Sequence, residues 1–178
     1  PYLENIYEYL YINNINGYKI FIPTLPHLKD KLTNLTKKWK IETIISINNK
    51  QNERLYNDVF ISVTCSGTAS LEISKRMIPQ IVFYKLNFFT YYIFFLLVSV
   101  KFANILNILS NKMIIKEVVN RNLSKKNLLE AFDILFNDEN FRDQQIVNIQ
   151  KYLPEIQSEK DPYDICKKRI TEIISTTT

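Results

Sequence analysis

Ten consecutive residues, 63–72 (VTCSGTASLE), hold the side-chain types and spacing best suited to chemistry. A β-branched, apolar run over 58–64 leads into Cys65, Ser66 and Gly67, and Thr68 opens a helical pattern that runs to Arg76. A tight strand-to-helix turn of small residues lets backbone approach a ligand closely, and the orphan N–H groups at a helix start carry partial positive charge. Together these suit an anion such as a diphosphate. Glu72 lies one turn into the helix, at i+4 from Thr68, where a carboxylate can accept hydrogen bonds from the paired hydroxyls of a ribose. The same residues equally fit an ordinary strand-to-helix turn carrying a solvated acid that the helix dipole favours.

Composition removes several other chemistries. The only glycines, Gly17 and Gly67, are fifty positions apart, so neither a Walker loop nor a G-x-G-x-x-G turn is present. His27 is the sole imidazole, which argues against a multi-histidine zinc site or a Ser/His/Asp triad. Cys65 and Cys166 form no C-x-x-C pair, so neither a disulfide framework nor a zinc ribbon is indicated, and Cys65 reads as a packed thiol. No cofactor is expected. The net charge of +5 rests on 18 Lys and 5 Arg, in a chain with 26 Ile, 19 Asn and 3 Ala. AT-rich codons would give that bias whatever the function, so nucleic acid is not expected as a partner. The chain lacks an initiator Met and a basic leader, and reads as a piece of a longer polypeptide.

The elements that must position the turn follow from periodicity. Leu3, Ile6, Tyr7, Leu10 and Tyr11 mark one helix face, closed by Asn16 and Gly17. Residues 18–23 predict a strand. A helix follows from Pro26, with Leu28, Leu32, Leu35 and Trp39 on one face, and then a strand over 41–47. A polar stretch at 48–52 precedes a short helical turn near Leu55. Beyond Pro79, residues 80–84 predict a strand, 88–100 a helix, and 104–108 a short fifth strand. From Met113 onward the pattern is helical only, near 113–120, 124–136, 139–152 and 162–175. Strands alternating with helices imply right-handed β-α-β units in a doubly wound parallel sheet, an α/β fold followed by a helical tail. Ligands of such folds bind beyond the carboxyl ends of the strands. The division expected is a Rossmann-like ligand-binding region over 1–110 and the helical tail over 111–178.

A longer pattern extends the turn. SGTASLE, Pro79 with QIVFYK, FFTYY, ILNIL and IIKEVVN at 114–120 occur in this order and spacing. That series resembles the carboxyl-terminal half of lipid-A-disaccharide synthase, a GT-B glycosyltransferase family, over nearly the whole chain. The resemblance implies a Rossmann-like domain that takes UDP-2,3-diacylglucosamine as donor and 2,3-diacylglucosamine 1-phosphate as acceptor, releasing UDP and needing no metal. It further implies that Ser66, Gly67 and Thr68 face the diphosphate and Glu72 the ribose. Asn107 matches the Asn of the family's P-N pattern and Glu117 the Glu of its E-x-x-Q segment, and both are expected to line the donor pocket. The family's deprotonating carboxylate lies in an amino-terminal domain that is not in this sequence. A cytoplasmic enzyme, peripheral on the inner face of the inner membrane, is implied.

The chain departs from that pattern at several positions. Leu106 stands for the Pro before Asn107, Asn111 for the following Gly, Asn120 for the Gln, and Tyr84-Lys85 for Tyr-Arg. The family's domain also opens with a strand and a phosphate loop, and PYLENIYEYL resembles the helix after them. In the strand order 3-2-1-4-5-6 the absent strand is central, between 18–23 and 58–64. Its absence leaves unpaired edges in mid-sheet, so the chain alone is expected to be unstable and inactive. Residues 86–100 (LNFFTYYIFFLLVSV), opening on Leu86 and closing on Val100, carry no charge and are flanked by Lys85 and Lys101. That stretch is short of the roughly 20 residues a spanning helix needs. It fits contact with a membrane surface, or else a buried helix or dimer surface. Alternative readings are an inactive remnant or non-catalytic membrane-surface module, and another UDP-sugar GT-B transferase. His27, Lys125, Lys126 and residues 167–169 read as surface groups.

Overall fold

A computed structural model describes residues 2–65, 67–85, 101–119 and 122–156, together with Lys167 and Thr171. The elements in chain order are α1 (Tyr2–Ile12), β1 (Ile20–Pro23), α2 (Pro26–Thr36), β2 (Thr43–Ser46), α3 (Asn49–Tyr56), β3 (Ser62–Cys65) and α4 (Thr68–Lys75). There follow β4 (Gln80–Tyr84), α5 (Ile105–Ser110), β5 (Lys116–Val119), α6 (Lys125–Asn137), α7 (Glu139–Tyr152) and a 3-10 turn (Leu153–Glu155). The architecture is α/β with every strand pair parallel, as the alternation of patterns implies.

The strands form two sheets, β1-β2 and β3-β4-β5. Adjacent residues of β4 point to opposite faces, and each face has its own core. On one face Ile81 and Val118 pack with Ile6 and Leu10 of α1 and with Leu128, Ala131, Phe132 and Leu135 of α6. Ile20, Ile41, Ile61 and Val63 reach the same cluster, so both sheets share that face. On the other, Val82 packs with Leu106 of α5, Ile114, Ile115, Ile149 of α7 and Leu153, and Leu71 of α4 joins them. β4 is the central strand, with Gln80, Ile81 and Val82 all buried, and its bounds agree with the 80–84 expected.

Three local differences from the sequence reading have physical reasons. First, α1 is closed by Asn14, at φ 51°, rather than by Asn16 and Gly17, and Ile15 N–H reaches back to the Leu10 carbonyl at 3.0 Å. That is the 6→1 bond of a left-handed helix end, and asparagine enters that conformation more readily than most residues. Second, the polar stretch after β2 is itself the start of α3, because Asn48 accepts from Gln51 N–H and caps it. Third, 104–108 is not a strand and 113–120 is not a helix: α5 occupies the former and β5 lies within the latter, paired with β4. The helices expected at 88–100 and 162–175 lie outside the described residues, apart from Lys167 and Thr171.

Candidate functional site

β3 ends at Cys65, and Gly67 is the residue that turns the chain into α4. Gly67 has φ 126° and ψ −152°, a region almost closed to side chains, while nothing lies within 4 Å of where its Cβ would be. Backbone conformation rather than crowding therefore requires glycine here. No described side chain caps α4, and Thr68 and Ala69 at its start are exposed. A helix start with no cap among the described residues suits an anion. Ser66 lies outside the described residues.

A second helix start sits beside the first, because Asn104 Nδ2 donates to Ser70 Oγ at 2.5 Å. Several of the N–H donors at and just ahead of this start are satisfied from within. Asn104 Oδ1 accepts from Leu106 N–H at 2.9 Å, and the Glu117 carboxylate accepts from the N–H groups of Ala103 and Asn104 at 2.8 Å each. Asn107 Nδ2 donates to Glu117 Oε1 at 2.7 Å and to the Ile115 carbonyl at 2.7 Å, while its Oδ1 accepts from Ile115 N–H at 2.8 Å. Asn107 is 0% exposed and Glu117 8%. Both expected pocket residues therefore sit behind the surface, where they hold residues 103–107 against β5.

The same face of the sheet carries a further polar network that sequence reasoning missed. The strand register places Thr64, Val82 and Glu117 in one row. Thr64 Oγ1 donates to Gln80 Oε1 at 3.1 Å, and Gln80 Nε2 donates to the Ser70 carbonyl and to Ser74 Oγ. Gln145 of α7 closes the set, accepting from Gln80 N–H at 2.6 Å and donating to its carbonyl at 3.0 Å. A buried polar network satisfied at every member fixes its elements more strictly than apolar packing does. Here it fixes the height and angle of α4 against β3. The available signals were Ser70 and Ser74 at i, i+4 on the inner face of α4, and a glutamine opening an otherwise apolar strand.

Glu72 is on the exposed side of α4, its side chain 54% exposed, and ion-pairs with Arg76 at 3.2 Å. Arg76 also forms two bonds to Glu53 of α3, at 2.8 and 2.7 Å, and lies over the Tyr56 ring. The Arg76 hydrogen bond holds the Glu53 carboxyl below the usual range, and the same contact pushes the guanidinium up. Cys65 is exposed rather than packed, and desolvation by the surrounding chain pushes its thiol up, so it is protonated at neutral pH and not primed as a nucleophile. His27 is exposed at the start of α2. Among the described residues no cluster of His, Cys, Asp and Glu could hold a metal, and no helix is long and apolar enough to cross a membrane.

A sequence profile of the lipid-A-disaccharide synthetase family matches residues 12–170. The chain is 30% identical over 114 residues to the lipid-A-disaccharide synthase of Rickettsia typhi, covering 63% of this chain and 30% of that protein. It is 28% identical over 158 residues to that of Rickettsia bellii, covering 77% and 40%. With that of Acinetobacter baylyi it shares 33% over 90 residues, covering 51% and 23%. The chain thus spans from about a quarter to two fifths of the length of these relatives.

Proposed function

The chain belongs to the lipid-A-disaccharide synthetase family, and from that membership and the open start of α4 we propose that it is the donor-binding half of such a synthase. The reaction is transfer of 2,3-diacylglucosamine from UDP-2,3-diacylglucosamine to 2,3-diacylglucosamine 1-phosphate. Residues 66–68 receive the diphosphate on backbone N–H groups, and Glu72 swings from Arg76 to the ribose. As the acceptor hydroxyl attacks the anomeric carbon, negative charge grows on the departing UDP. N–H groups already aimed at that charge stabilise it without reorganising, and one lost donor in such a site costs on the order of 100-fold in rate.

Asn107 and Glu117 contribute to this site by fixing the neighbouring loop. The group that deprotonates the acceptor is supplied by an amino-terminal domain, on which residues 111–178 also pack. Residues 86–100, outside the described residues, meet the membrane surface, which places the enzyme on the cytoplasmic face of the inner membrane beside its acylated substrates.

The observation that carries this reading is the first turn of α4, which no described side chain caps, behind a glycine at φ 126°. Calorimetric titration with UDP, UMP and uridine tests it. UDP binding tightly, UMP weakly and uridine not measurably is the expected order. Uridine binding as tightly as UDP would remove the diphosphate from the site.

A further inference from the structure

The guanidinium of Arg76 serves two carboxylates unequally. Its Nη1 and Nη2 donate to the two oxygens of Glu53 at 2.8 and 2.7 Å, so the end-on fork is filled from α3. Glu72 receives a single bond, from Nη2, and at 3.2 Å it is the longest of the three. A guanidinium offers a carboxylate a second fork, the edge that pairs Nη2 with Nε. On that edge Nε is buried and has no partner among the described residues. Glu72 therefore uses half of a fork whose other half is unfilled.

Neighbouring elements fix the guanidinium in that pose. It lies over the Tyr56 ring, 4.3 Å from the centroid, and Tyr56 in turn meets Phe21 of β1 edge to face at 5.4 Å. Stacking holds the plane of the guanidinium, and the two bonds to Glu53 hold its rotation within that plane. The backbone of Arg76 is anchored at the end of α4, its N–H donating to the Glu72 and Ile73 carbonyls. Bidentate charge-assisted pairs are the stronger kind, whereas a single contact to a half-exposed acid contributes little. Glu53, reaching across from another helix, thus has the firm grip, and Glu72, one turn behind Arg76 on the same helix, has the loose one.

Without Glu53 the balance reverses. A guanidinium freed of its end-on partner can turn over Tyr56 and take Glu72 on both Nε and Nη2, and a carboxylate held by two bonds leaves for another partner less readily than one held by a single bond. We propose that Glu53 is a positioning residue for Glu72: by filling the end-on fork of Arg76 it leaves Glu72 on one weak bond, from which that carboxylate passes to a pair of ribose hydroxyls. This role rests on the reading that places Glu72 at the ribose. It extends the site to α3, a helix outside the turn at residues 66–68.

Calorimetric titration of UDP and of 2′,3′-dideoxyuridine diphosphate into the full chain tests it, because the ratio of the two affinities isolates the ribose hydroxyls. The parent is expected to prefer UDP. Glu53→Ala should lower the ratio about fivefold, the equivalent of one net hydrogen bond that Glu72 must now give up. Adding Arg76→Met to Glu53→Ala should restore the ratio, since no guanidinium is left to hold the carboxylate. A loosened α3 or the altered net charge would move both nucleotides together and leave the ratio alone. Suppose the parent prefers UDP and Glu72→Ala does not: an unchanged ratio in Glu53→Ala, or no recovery with Arg76→Met, would then overturn the role of Glu53 and spare that of Glu72. A parent without preference, or a Glu72→Ala variant that keeps it, would remove Glu72 from the ribose and this role with it.

Discussion

Replacing Glu117 by glutamine probes the clamp that sets the loop beside α4. The carboxylate accepts from Asn104 N–H and Asn107 Nδ2 on Oε1 and from Ala103 N–H on Oε2, all at 2.7–2.8 Å. Glutamine matches it in size but brings one oxygen and one NH2. If the oxygen takes the Oε1 position, the NH2 is set against Ala103 N–H, and a buried donor facing a donor costs about 1–3 kcal/mol. The two bonds that survive fall from charge-assisted to neutral, a loss of roughly 1 kcal/mol each. The expected destabilisation is therefore about 3–5 kcal/mol, a fall in melting midpoint on the order of 10 °C for a chain of this size. Urea and thermal unfolding of Glu117→Gln measure it. Glu72→Gln serves as the reference, because that side chain is 54% exposed and its removal should change stability by less than about 0.5 kcal/mol. A loss below about 1 kcal/mol for Glu117→Gln would refute the clamp. If Glu117 instead touched the nucleotide directly, the substitution would weaken UDP binding with little change in stability.

Three further outcomes are expected. Gly67→Ala forces a Cβ into φ 126° with free space around it, so it should cost about 1–3 kcal/mol from backbone strain alone and abolish UDP binding in calorimetry. Asn111 closes α5 at φ 50° and ψ 28°, so Asn111→Gly should raise stability by about 0.5 kcal/mol, read as a higher urea midpoint with no change in the slope. For the Glu53–Arg76 pair the sign follows from the direction of the shift: a carboxyl held below its usual range stabilises the fold above its unfolded pKa of about 4.3, and that contribution disappears as pH falls through the lower folded value. Arg76→Met should therefore be less stable than the parent near neutral pH, and urea midpoints of the two should converge as the solution is acidified below that range. A gap that stays constant with pH would assign the effect to lost packing of the guanidinium on Tyr56.

How far the sequence revealed this arrangement depended on whether an element's pattern was set locally. β4 was legible as a short apolar run bounded by Pro79, and α1, α6 and α7 were legible from their 3.6-residue stripes. The exchange of identity between 104–108 and 113–120 shows the opposite case. ILNIL is too short for periodicity to separate helix from strand, and the deciding bond, Asn104 Oδ1 to Leu106 N–H, is a cap that could have been read from an asparagine ahead of the run. KEVV falls in 113–120, which the pattern from Met113 onward assigned to a helix. Glu117 is instead the buried acceptor for a loop thirteen and fourteen residues earlier in the chain.

The candidate site shows the same limit, and it explains why the helix start at Gly67 matters more than the motif containing it. Two helix starts are joined by the bond from Asn104 to Ser70. The chain neutralises one of them itself, with Glu117 and the Asn104 cap, and leaves the other without a described side-chain cap. The local residues distinguish them only in part, Asn104 being able to cap its own helix where Gly67 has no side chain to do so. The difference is produced by β5, which brings a carboxylate under one start and not the other. On the proposed reading, an external diphosphate would be received at α4 rather than α5. Filling the α4 start with an internal acid, as in Ala69→Asp, should accordingly weaken UDP binding by at least tenfold while leaving or raising stability by a few tenths of a kcal/mol. Undiminished UDP affinity in that variant would show that the nucleotide is held elsewhere.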